Sequence, residues 1–331
     1  MKNTIHTIAK NTGVSISTVS RVLSGKAALY RISEATAIKV RAEAERCNYE
    51  PNLLAQGLRA GRTRTVGVII PRIDNPFFAT LASTVIEFLQ SRGYHTILAD
   101  SQEDEKEERE AVRSMMSRNV DGIIVAPTGE DAVFLENVNE TVPVILMDRY
   151  FQNSTLPYIS TDNCEGGRMA AEFLIAHNYK RVLSIQGVPW SMPNIRRKKG
   201  FSDVLESAGI MHEVMGDDFS VENGYKTTVA ALGGGKQFDA IFAYSSTILL
   251  GAVRALSELG FAVPEDIALI AFDNNGFFDF LNPPITRVEQ PLKAIGRITV
   301  ETLLSKIEKQ DASGIQAQRL LKPTLIIRKS C

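Results

Sequence analysis

Residues 4–25 read TIHTIAKNTGVSISTVSRVLSG. Ile5, Ile8 and Ala9 recur at helical spacing, Gly13 breaks the pattern, and Val19, Val22 and Leu23 resume it. The spacing predicts a helix over 5–11, a turn through Gly13 and a second helix over about 16–24, capped by Ser15 or Ser17. Small Ala9 and apolar Val14 and Val19 let two such helices pack closely, as a helix-turn-helix requires. The second helix leads with Ser15, Ser17 and Thr18 and carries Arg21 one turn later, which suits a helix lying in a DNA major groove. Arginine can donate two hydrogen bonds to guanine O6 and N7, serine and threonine can reach phosphates or bases, and Ile16 can touch a thymine methyl. Taken alone, the pattern also fits an ordinary three-helix bundle.

Outward from this stretch, Ser33 opens a third helix with Ala37, Val40, Ala44 and Cys47 on one face and Glu34 in its first turn. Asn52 can cap the short segment LLAQGLRAG (53–61), which is too short to be a stable isolated helix and is weakened further by Gly57. RTRT (62–65) reads as a linker. Four Lys and seven Arg face four acids in residues 1–64, a net charge of +7, so the rest of the chain carries −8. That asymmetry fits a nucleic-acid module on an acidic partner domain, although a basic solvated face would give the same count.

From Val66 the character changes. Apolar runs at 66–71, 95–100, 122–127, 142–148, 158–162, 181–186, 239–244 and 267–273 predict buried strands. Helical patterns at 77–92, 103–118, 164–177, 195–208, 221–232 and 247–259 alternate with them. Helix 291–308 and strand 323–328 follow. There are too many strands for one small sheet, so two tandem α/β lobes are expected. Ligands favour the carboxyl ends of parallel strands. Asp74, Asn75, Phe77 and Phe78 stand after the first strand, Asp148 after the fourth and Asp273 with Asn274 after the last. Carboxylates and amides hold sugar hydroxyls, and aromatics pack on the apolar faces of sugar rings. Trp190, after strand 181–186, is a candidate for the pocket mouth. For each of these residues taken singly, a helix cap, turn or surface role is equally open.

The order of these motifs resembles the lactose-repressor family of bacterial transcription regulators. The likeness runs through the helix-turn-helix stretch, ISEATAIKV (32–40) and NYEPNLLAQGLRAGRTRTVGVIIP (48–71). It continues through DNPFF (74–78), VDGIIV (120–125), MDR (147–149), DNCEGG (162–167), RRKKGF (196–201), GFAVPEDIALIAFDN (260–274) and PPITRVEQP (283–291). The resemblance implies an all-α DNA-binding domain over 1–48, a hinge helix and linker over 49–64, and an α/β core of two doubly wound, periplasmic-binding-protein-like lobes over 65–331. It places Ile16, Ser17 and Arg21 at base-reading positions and Thr4, Ser15, Thr18 and Ser33 in the remaining DNA-binding set. Asn52 to Leu58 fall on the family's hinge helix, with Leu58 at the intercalating position, where an apolar wedge kinks the duplex. The alternative for Leu58 is a core leucine. Arg197 and Phe219 match effector-contacting positions.

The implied protein is a cytoplasmic homodimer that binds double-stranded operator DNA as a repressor and responds to a sugar-like effector, with no cofactor and no membrane contact. The sequence is not expected to form a tetramer, since no leucine heptads follow the final strand. Four departures stand out. Thr7 replaces the usual acid of helix one, and Ser24 the usual Asn. The connection GKAALYRI (25–32) is about three residues longer than the lactose repressor's own. Ser246-Thr247 stand where the family often has another polar pair, so the effector is expected to differ.

Other classes find less support. Three scattered cysteines (47, 164, 331) fit a reducing compartment and no disulfide framework. The N-terminus lacks the apolar core of a signal peptide, and no run of 18 apolar residues predicts a membrane span. A transport-type solute-binding protein shares the lobes but has no need of residues 1–61. A cleft enzyme remains a rival, yet the four His residues lack metal spacing and GGGK (233–236) is no phosphate loop. QEDEKEERE (102–110) reads as a solvated acidic helix start. The Asp74–Asp148–Asp273 trio offers acids but no nucleophile.

Overall fold

The computed structural model describes residues 4–49, 62–233, 237–308 and 317–331. The chain divides into two units, Met1–Thr63 and Arg64–Cys331.

In the first unit, α1 (Ile5–Thr12), α2 (Ile16–Leu23) and α3 (Glu34–Arg46) surround Ile8, Val19, Val22, Ala37 and Val40, all essentially fully buried. Eight-residue helices do not persist alone in water, so this small core and the caps hold them. Gly13 ends α1 in the left-handed region at φ +69°. Lys39 Nζ donates to Thr12 O at 2.9 Å and so covers the exposed carbonyl end of α1 from α3. Ser15 Oγ accepts Thr18 N–H at 3.1 Å and Ser33 Oγ accepts Thr36 N–H at 3.3 Å. At the head of α1, Thr7 Oγ1 accepts Thr4 N–H at 3.4 Å, a neutral and longer substitute for the acid usual there.

The second unit holds two six-stranded sheets. One lobe has β1 (Thr65–Ile70), β2 (His95–Asp100), β3 (Gly122–Val125), β4 (Val144–Met147), β5 (Tyr158–Thr161) and β11 (Gln318–Leu321), in the order β2-β1-β3-β4-β5-β11, all parallel. The other has β6 (Arg181–Ile185), β7 (Met211–Met215), β8 (Ala240–Ala243), β9 (Ala268–Phe272), β10 (Thr286–Glu289) and β12 (Thr324–Ile326), in the order β7-β6-β8-β9-β10-β12. Among the described strands only β12 runs antiparallel, against β10. Central strands such as GIIV, VILM and ALIAF are buried at every residue, because helices cover both faces. Those helices are α4 (Pro76–Ser91), α5 (Glu105–Ser117), α6 (Val133–Asn139), α7 (Asn163–Ala176), α8 (Met192–Ser207), α9 (Val221–Gly233), α10 (Ser246–Leu259) and α11 (Leu292–Ile307).

The chain crosses between lobes three times: after β5, after β10 and between β11 and β12. Helix α11 therefore returns to the first lobe, where Gly296 lets it lie against α4. A Cβ at Gly296 would stand 2.7 Å from Thr84 Cγ2.

The periodicity does not predict α6, β7, β10 or β11. Each is short, and β7 and β11 are edge strands whose outer residues (Met211, Leu320) stay exposed, so no continuous apolar run marks them. Helix α8 starts three residues earlier than the spacing predicts, since Pro193 is tolerated in a first turn. Among the described residues, no helix is long and apolar enough to cross a membrane.

Candidate effector cavity and DNA-reading helix

The two sheets are built on one plan, with β4 matching β9 and β5 matching β10 in their orders. Asp148 follows β4 and Asp273 follows β9. Both sit in the left-handed region, at φ +64° and +77°. Such conformations are strained for a non-glycine residue and mark sites that the surrounding fold holds in place. Here they turn two carboxylates into one narrow cavity between the lobes. Its wall consists of Asn75, Phe77, Phe78, Asp148, Arg149, Pro193, Arg197, Phe219, Ser245, Asp273 and Gln290.

Each polar group is held by a distinct element. Asp273 Oδ2 accepts Ser246 N–H at the start of α10 (3.0 Å), and Oδ1 accepts Gln290 Nε2 (2.7 Å). Arg197, on α8, is buried; its guanidinium lies 3.7 Å over the Phe272 ring. Its Nε donates to Asn163 Oδ1 at 2.8 Å and one Nη to Tyr244 O at 2.5 Å. Burial pulls Arg197 below the ordinary guanidinium value, opposed by Asp273 and Asp148. Arg149 makes two hydrogen bonds to Glu103, at 2.6 and 2.7 Å, and its guanidinium lies between the rings of Phe78 (5.4 Å) and Phe219 (5.8 Å).

Asp148 is the least satisfied member. Its buried Oδ1 has no hydrogen-bond partner among the described residues. Burial pushes its carboxyl up to about 6, with Arg197 and Arg149 opposing the rise. A desolvated acceptor beside two guanidinia is a place for a ligand hydroxyl.

The aromatic wall is fixed as firmly. Asn75 caps α4 by accepting Phe77 N–H at 3.0 Å, which sets Phe77 and Phe78 in the first turn. Phe219 O accepts Thr247 Oγ1–H at 2.8 Å, and its ring packs where Gly187 lacks a side chain; a Cβ there would come within 2.1 Å of the ring.

Asn75, Phe77, Phe78, Asp148, Arg197, Phe219 and Asp273 thus converge as candidates, and two others do not. Asp74 is exposed and bound to Arg72, whose Nε donates to Oδ1 at 2.8 Å. Trp190 is 54% exposed and lines a separate, larger cavity with residues 127–133, 150–154 and 191–192. Arg149, Gln290, Ser245 and Pro193 were not among the candidates. Arg149 directly follows Asp148, so the strand-end rule was within reach of it. Gln290 directly follows β10, a strand too short for periodicity to mark.

On the first unit, Thr4, Ser15, Ile16, Ser17, Arg21 and Ser33 are exposed and Thr18 is half-buried, while Val19 and Val22 face the core. Ser17 and Arg21 are four residues apart, so they share one outward face of α2. Asn52 and Leu58 lie outside the described residues.

A two-lobed binding unit joined to a helix-turn-helix unit defines a ligand-responsive DNA-binding regulator. Residues 4–52 match the model of bacterial regulatory proteins of the lacI family, and residues 171–331 that of the periplasmic binding protein-like domain. A ribose operon repressor of Halalkalibacterium halodurans is 30% identical over 328 residues, which cover 99% of this chain and 96% of that one. The chain belongs to the lacI family. Its fold superposes on the lac repressor dimer bound to operator and the anti-inducer ONPF with a TM-score of 0.89, at 24% identity over 100% and 99% of the two chains. The transcriptional regulator CelR in complex with cellobiose gives 0.74 at 27% identity, over 99% and 100%.

Proposed function

We propose that this chain is a homodimeric transcriptional repressor whose affinity for operator DNA is set by a neutral, pentose-sized sugar bound between its lobes. The cavity between the strand ends carries the reading. Two carboxylates, two guanidinia, an amide pair and three phenylalanines line it, which supplies donors and acceptors for the hydroxyls of one small polyol ring and apolar faces to pack on it. Charge argues against a sugar phosphate. Glu103 already neutralises Arg149, and Asp148 and Asp273 face the remaining Arg197. An added phosphate would bring uncompensated negative charge into a buried site. That the Halalkalibacterium relative is a ribose operon repressor supports a pentose.

Ser15, Thr18 and Ser33 would anchor the reading unit on phosphates, Ile16, Ser17 and Arg21 would read bases, and Leu58 would wedge the minor groove. A two-fold dimer would match a pseudo-palindromic operator. The sugar acts as a signal and leaves unchanged, in a cytoplasmic protein without catalytic turnover.

The test is a thermal-shift and calorimetric screen of the full chain against pentoses, hexoses, disaccharides and sugar phosphates. A pentose at 100 times its dissociation constant should stabilise by about 2.7 kcal/mol. Asp273→Asn and Arg197→Ala should each weaken that response at least about tenfold, since each leaves buried partners unpaired. Preference for a phosphorylated sugar, or conversion of the bound sugar, would overturn the reading.

A further inference from the structure

The lengthened connection between α2 and α3 is not a loose loop. Ala27 is buried and Ile32 packs on the small core. Between them the backbone closes on itself: Tyr30 N–H donates to Lys26 O (3.2 Å), Arg31 N–H to Ala28 O (3.1 Å) and Ile32 N–H to Ala27 O (2.9 Å). Arg31 ends the turn in the left-handed region at φ +54°. This extra turn presents Tyr30, itself 47% exposed, to the outward face of α2. The Arg21 guanidinium lies 4.0 Å from the Tyr30 ring centroid. Among the described residues, no carboxylate pairs with Arg21.

We infer that Tyr30 is a positioning residue for base reading, holding the Arg21 guanidinium in a fixed plane toward one base pair. The inference rests on Arg21 being a base reader. A guanidinium held over a ring face is attracted without spending its N–H donors, which stay free for the two acceptors of a guanine edge. The ring also removes the freedom of a long side chain before binding, which lowers the cost of ordering it. The longer connection thus adds a specificity device that α2 does not carry by itself.

The experiment selects preferred sites for the full-length chain from a randomised DNA duplex library, then measures binding to the best duplex and to its single-base variants. Tyr30→Ala should weaken the best duplex about two- to five-fold, the range of an exposed cation–π contact. It should flatten preference at the same base pair that Arg21→Ala flattens. Tyr30→Phe, which keeps the ring and loses the hydroxyl, should behave as the parent. The double variant should lose no more than Arg21→Ala alone, and the slope of log affinity against log salt should match the parent for Tyr30→Ala.

If Arg21→Ala flattens one position while Tyr30→Ala changes a different one, or weakens all duplexes equally with a changed salt slope, Tyr30 contacts DNA itself and the positioning role is overturned. If Arg21→Ala leaves every preference intact, the base-reading role of Arg21 fails, and the inference with it. A thermal melt of each variant, expected to match the parent because Tyr30 lies outside the core, separates these outcomes from loss of folding.

Discussion

Asp148 is where stability and sensing pull in opposite directions. Its carboxyl titrates near 6 in the folded chain because burial opposes its charge, and in the unfolded chain near the ordinary 3.8. Between those values the folded state holds a proton that the unfolded chain has released. Folding stability from this group is therefore full below about pH 4 and is lost as pH rises through about 6. Asp148→Asn should make the ligand-free protein more stable at pH 7.5, by on the order of 2 kcal/mol, and leave it near parity at pH 4. Urea unfolding at the two pH values checks this, and equal stability at both would contradict the burial argument. The same variant should lose sugar affinity, because the carboxylate acceptor is gone. For the unaltered chain, calorimetry at pH 5 should find weaker sugar binding than at pH 7.5, as protonation removes that acceptor.

At the scale of elements, close helix contacts set the shape of the second lobe. Gly200 on α8 faces the backbone of α7: a Cβ there would stand 1.9 Å from Cys164 O. Gly167 does the same in reverse against Arg197 O, at 2.3 Å. The glycines of DNCEGG and RRKKGF are thus two sides of one crossing, which brings α8 close enough for Arg197 to reach Asn163. Gly200→Ala should cost about 2–3 kcal/mol in chemical unfolding, since backbone must move. Gly233→Ala, where nothing lies within 4 Å among the described residues, should be neutral or slightly stabilising. In the first unit, Ser15→Ala removes the cap of α2 and should cost about 1 kcal/mol in the stability of that unit. A melt followed by helical ellipticity checks it.

Across the second unit, a hydrogen-bonded chain joins two of the three crossings, those after β5 and β10, to the cavity. Thr161, at the end of β5, donates its hydroxyl to Gln290 Oε1 at 2.6 Å, and Gln290 donates to Asp273 at 2.7 Å. Thr161 and Gln290 occupy equivalent places in the two lobes, where the chain passes from one to the other. A sugar that engages Asp273 therefore engages the crossings too, and a change of lobe angle is the expected carrier of the signal to DNA. Thr161→Val should leave sugar affinity within about fivefold, since Thr161 does not line the cavity. It should reduce the ratio of operator affinities measured with and without sugar. An unchanged ratio would sever the crossings from the response.

The amino-acid sequence by itself determined the helix-turn-helix, the alternation that makes two α/β lobes, and the strand-end positions of five cavity members, Asn75, Phe77, Phe78, Asp148 and Asp273; Arg197 and Phe219 came from the family resemblance. Those features are local: helical spacing, apolar runs and caps are written in neighbouring residues. Only the tertiary structure decided that Asp74 turns away to Arg72 while Asn75 turns in, that Trp190 borders a separate cavity, and that Arg149, Gln290, Ser245 and Pro193 complete the one between the strand ends. It alone set Tyr30 on Arg21. The physical reason is the same in each case. Which way a side chain faces at a strand end or in a loop depends on partners distant in the chain, and a three- or four-residue strand has no period from which to read them.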